Sequence, residues 1–80
     1  MEKIERWIGI YGNSIKSLKY DIEKEEIELN ENKVKISEAV NIRDIEYYIE
    51  KIQKNIWRLK ELNLRLLTDE KNLNFLNDIK

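Results

Sequence analysis

The chain has no cysteine, no histidine and no proline. Without cysteine there is no disulfide and no thiolate metal site. Without histidine the commonest metal ligand and general base is missing. Without proline nothing forbids long unbroken helices, and a loop-rich fold is disfavoured. Glycine is confined to Gly9 and Gly12. No run approaches the roughly 20 apolar residues that span a membrane. The apolar stretch from Trp7 to Tyr11 dies at Gly12-Asn13-Ser14, too short for the core of a secretory signal. The expected compartment is the cytoplasm.

An excess of one charge is also missing. Fifteen bases stand against sixteen acids, for a formal net charge of −1. That is not the basic excess of a nucleic-acid binder. Gly9 and Gly12 lack the following Lys-Ser/Thr of a phosphate-binding loop. A nucleophile would have to be Ser14, Ser17, Ser37 or Thr68 acting with a lysine, and no motif supports it. The arginines Arg6, Arg43, Arg58 and Arg65 are too scattered to converge on one anion pocket. These absences together point to a non-enzyme with no cofactor and no metal.

What is present is helical pattern. Eighty residues with 41% hydrophobic and 39% charged side chains make a single small domain, 1–80, with enough apolar material for a core. Ile4, Ile8, Tyr11, Ile15, Leu18, Ile22 and Leu29 recur at steps of four and three, leaving Glu25 at the one polar position. That is the a/d seam of a helix packed on another helix. It predicts a helix over about 2–30, with a break at Gly12-Asn13-Ser14 as the rival. A second series, Ile42, Ile45, Ile49, Ile52, Ile56, Leu59, Asn63, Leu66 and Leu73, predicts a helix over about 38–67. Ser37 is placed to cap it, and Asn41 with Asp44 is a second possible start. Thr68-Asp69-Glu70 reads as the start of a short third helix, about 69–79. The expected fold is therefore all-α, a long antiparallel helical hairpin plus a short C-terminal helix, coiled-coil-like. The competitor is a small β-hairpin at 27–36, where Ile27, Leu29, Val34 and Ile36 alternate with charges.

A turn near residues 33 and 34 brings Trp7, Ile10, Tyr11, Trp57, Leu62 and Leu64 to the end away from the turn. There they form an aromatic-rich patch that a third helix covers or a partner uses. Asn63 falls at a seam position, as a polar pin on register. Between Asp21 and Glu46 acids outnumber bases nine to four, so the same turn predicts an acidic end (Asp21, Glu25, Glu28) and a basic stripe (Lys51, Lys54, Arg58, Arg65) beside Trp57. The partner-binding candidates are thus Trp7, Tyr11, Trp57, Leu64, Lys51, Lys54, Arg58, Arg65, Asp21, Glu25 and Glu28.

These features predict a protein-binding module rather than an enzyme. Isoleucine far outnumbers valine, lysine outnumbers arginine, asparagine is abundant and Ala39 is the single alanine. Such usage tracks AT-rich codons and suggests a low-GC bacterium, its phages or its mobile elements. A small inhibitor or regulator of a host defence complex, of anti-CRISPR type, fits that composition. The alternatives are a homodimeric coiled-coil scaffold and a nucleic-acid binder using the basic stripe.

Overall fold

The computed structural model describes residues 2–80. It consists of two α-helices, α1 (Glu2–Glu38) and α2 (Ile42–Ile79), joined by Ala39-Val40-Asn41 and packed antiparallel. Among the described residues there is no strand. The all-α helical hairpin predicted from periodicity is what forms. Its outline is a rod of 61 × 14 × 14 Å. The 18.0 Å radius of gyration compares with about 12 Å for a globular chain of this length.

Three boundaries differ from the sequence reading. The connection expected between the helices, 31–37, and the alternative β-hairpin at 27–36 both lie inside α1. Leu29, Asn32 and Ile36 continue the four-three spacing, and Asn32 is satisfied in the seam, so nothing stops the helix there. Ser37 does not cap α2; its hydroxyl donates to the Val34 carbonyl within α1. The cap is Asn41, whose side-chain oxygen accepts from the Asp44 amide at 2.8 Å while its Nδ2 donates to the Asp44 carboxylate. At the other end there is no third helix, because α2 runs unbroken to Ile79. The Thr68 hydroxyl, expected to cap a new helix, instead donates to the Leu64 carbonyl one turn back. The glycines produce no break either, and both keep ordinary helical backbone.

The turn at 39–41 resets the register. Ser14 lies abreast of Asp69, Glu25 abreast of Asn55 and Arg58, and Asn32 abreast of Asn55. In α1 the seam has an a row (Ile8, Ile15, Ile22, Leu29, Ile36) and a d row (Ile4, Tyr11, Leu18, Glu25, Asn32). In α2 the a row is Ile45, Ile52, Leu59, Leu66 and Leu73, as expected, but the d row is Tyr48, Asn55, Leu62, Asp69 and Leu76. Asn63, expected in the seam, is exposed and donates to the Leu59 carbonyl. Ile42, Ile49 and Ile56 are exposed beside it on the e row. Leu62 takes the place assigned to Asn63 and, with Leu18, is one of the two buried apolar residues described.

Candidate functional site

The chemistry of the seam sits in its d row. Asn32 Nδ2 donates to Asn55 Oδ1 at 2.8 Å, and Asn55 Nδ2 donates to Glu25 Oε1 at 2.7 Å. The other Glu25 oxygen lies 3.7 Å from Arg58 Nε. All three polar residues are buried, and no buried side-chain nitrogen or oxygen among the described residues is left without a partner. Nearer the open end, Ser14 Oγ donates to Asp69 Oδ2 at 2.6 Å. Such layers cost stability relative to apolar packing, but they match only one alignment of the two helices. Glu25 was legible as a polar seam residue. Asn32 and Asn55 were missed, although each stands three residues after one a-row aliphatic and four before the next.

The same geometry weakens the expected charge separation without removing it. Asp21, Lys24, Glu25, Glu28, Arg58 and Leu62 line one open hollow on the d-row side of the rod. The acidic stretch of α1 and the bases Lys51 and Arg58 of α2 therefore run side by side and partly compensate each other, although the half nearer the turn stays net acidic. Lys51 belongs to this set. The Tyr47 phenol, as hydrogen-bond partner and as a neighbouring charge when ionised, together with the Glu28 carboxylate, holds the Lys51 ammonium above the usual lysine value. It stays charged throughout the physiological range.

The aromatic patch is also divided. Trp7 and Tyr11, with ring centroids 6.0 Å apart, share an open hollow with Asn72, Phe75 and Leu76, not with Trp57 and Leu64 as the earlier turn implied. Ile10 is exposed on another side of α1. Trp57 and Leu64 stand one heptad apart on the outward side of α2, 65% and 64% exposed. Lys54 lines a hollow with Trp57, Glu50 and Gln53, while Leu64 lines another with Ile56, Leu59, Lys60, Asn63 and Leu67. Arg58 is largely exposed above Glu25, and Arg65 is exposed one heptad further on.

Among the described residues no helix is long and apolar enough to cross a membrane, and no group of three potential ligating side chains converges on a metal position. No known protein family, curated protein or solved structure matches the chain.

Proposed function

We propose that this chain is a non-enzymatic, cytoplasmic protein-binding module, a small regulator or inhibitor that works by occupying a surface of a larger macromolecule. The observation that carries this reading is the pair Trp57 and Leu64 on the outward side of α2. Large apolar side chains held on a rigid helix and flanked by cations are the make-up of interface hot spots, where tryptophan and arginine are enriched. An α2 surface with anchors a heptad apart suits insertion into a groove on a partner. Lys54, Lys60 and Arg65 outnumber Glu50 and Glu61 around the anchors and would favour an acidic rim on that groove. A protein partner is better supported than a nucleic acid, because Lys51 and Arg58 stand beside carboxylates of α1 that offset their charge. The codon-driven composition favours a phage or mobile-element origin and a host defence complex as the target.

The test is capture from a native host lysate by the unmodified chain and by three variants. Trp57→Ala and Leu64→Ala should each lose the captured partner. Val34→Ala, on the outer side of α1, should retain it. An unchanged set of captured proteins in the first two variants removes this surface from consideration.

A further inference from the structure

The hairpin is rolled in an unexpected direction. Its d rows, which contain Glu25, Asn32 and Asn55, supply all the buried residues described. Its two a rows are entirely aliphatic, yet every one of those ten side chains is only half-buried. Beside them on α2 the e row adds Ile49 and Ile56, 43% and 42% exposed. A hairpin alone in water would lower its free energy by turning the wholly aliphatic rows further inward than the mixed d rows, four of whose ten members are polar. Here the carboxylate and amides are inside, and one whole longitudinal edge of the rod is apolar.

The whole rod, of which this edge is one side, is under-covered for its mass. The chain exposes 6654 Å², roughly 1,500 Å² more than the ~5,200 Å² of a folded monomer of its mass. No described side chain is fully buried. A stable interface takes about 800 Å² from each partner, which an edge of this length can supply.

Charge along the rims of the edge selects the occupant. Lys16, Lys19, Glu23, Glu26 and Lys33 are the charges of the α1 rim, and Glu70, Lys60 and Glu46 those of the α2 rim. From the pairings across the seam, the members of Lys16/Glu70, Glu23/Lys60 and Lys33/Glu46 lie within about one helical turn, ~5.4 Å along the axis, of equal height. A two-fold axis parallel to the rod sets the α1 rim of one hairpin over the α2 rim of another. Lys16 and Lys19 then face Glu70, Glu23 and Glu26 face Lys60, and Lys33 faces Glu46, so opposite signs meet at three levels, and each helix has only antiparallel neighbours. We infer that a second copy of this chain seats on the a-row edge with its turn at the same end, giving a four-helix bundle. Trp57 lies beyond the rim, in a separate hollow with Glu50, Gln53 and Lys54, whereas Leu64 adjoins the edge through Ile56, Leu59 and Lys60, so Trp57 is the residue that separates this inference from the proposed function.

Sedimentation of the unmodified chain at micromolar concentration should give twice the 9.8 kDa chain mass. Its helical melting temperature should fall on roughly hundredfold dilution, as mass action requires of a dimer. Ile49→Lys with Ile56→Lys should raise the dissociation constant by roughly tenfold or more. Trp57→Ala should leave it unchanged, which separates this surface from the partner surface. Glu23→Lys should weaken the dimer and Lys60→Glu in the same chain should restore it. A chain that sediments as a monomer and melts independently of concentration overturns the dimer. A dimer indifferent to the isoleucine substitutions overturns the edge, and one not restored by the charge swap overturns the orientation.

Discussion

Asn55 is the least exposed residue described, at 3%, and it is polar. It bonds Asn32 and Glu25 at once, so removing its amide strands a buried amide and a buried carboxylate together. Asn55→Ala should therefore cost about 2–4 kcal/mol, the range for leaving such groups unpaired. Asn63→Ala, one heptad on and one position off the seam, should stay within about 0.5 kcal/mol. Urea melts followed by circular dichroism compare the two directly. Similar losses for both would mean that α2 is rotated from the phase described. Replacing Glu25, Asn32 and Asn55 together by leucine should raise stability, since satisfied buried polar groups rarely outperform apolar packing. It should also blur the register, which would show as multiple signals in an amide NMR spectrum.

At the scale of the element, the informative residues are those that could have ended a helix. Gly9 keeps helical backbone, and a Cβ added there meets no atom within 4 Å. Gly9→Ala should thus stabilise the chain by about 1 kcal/mol, through backbone entropy alone. The turn offers a paired test. Asn41→Ala removes a cap that accepts from the Asp44 amide and should cost about 1 kcal/mol. Ser37→Ala removes only a hydroxyl bond back to Val34 and should change stability by less than about 0.5 kcal/mol. The reverse order would restore a turn in the thirties. Both capping signals stood in the sequence. Asn41 prevailed because α1 still has a seam residue, Ile36, to bury beyond Lys33, so the first helix outlasts its polar stretch.

Over the whole molecule, the position of one turn decides what every residue faces. Moving it from 33–34 to 39–41 carries Trp7 from beside Trp57 to beside Phe75 and Leu76. It also adds lateral compensation around Glu25 and Arg58 to a reduced lengthwise charge separation. Because the chain is free of cysteine, single pairs of spin labels can measure this without background. Labels on Lys3→Cys and Asp78→Cys, diluted into unlabelled chain, should lie at cross-helix distance. Labels on Lys3→Cys and Lys60→Cys should be separated by roughly 30 Å along the rod, at 1.5 Å per residue. A short second distance would reinstate the earlier turn.

The amino-acid sequence alone determined that the chain is helical, that it contains a long helical hairpin, and which aliphatics form the a rows, but not that the second helix runs on past Thr68. Four-three spacing over many turns leaves few other ways to bury isoleucine and leucine. It did not determine the phase of α2, because Ile42, Ile49 and Ile56 continue the same spacing as well as Tyr48, Leu62 and Leu76 do. That choice belongs to the tertiary structure. Glu25 and Asn32 on α1 require a polar partner at their own height, and Asn55 supplies it only when α2 turns its d row inward and leaves the isoleucines at the edge.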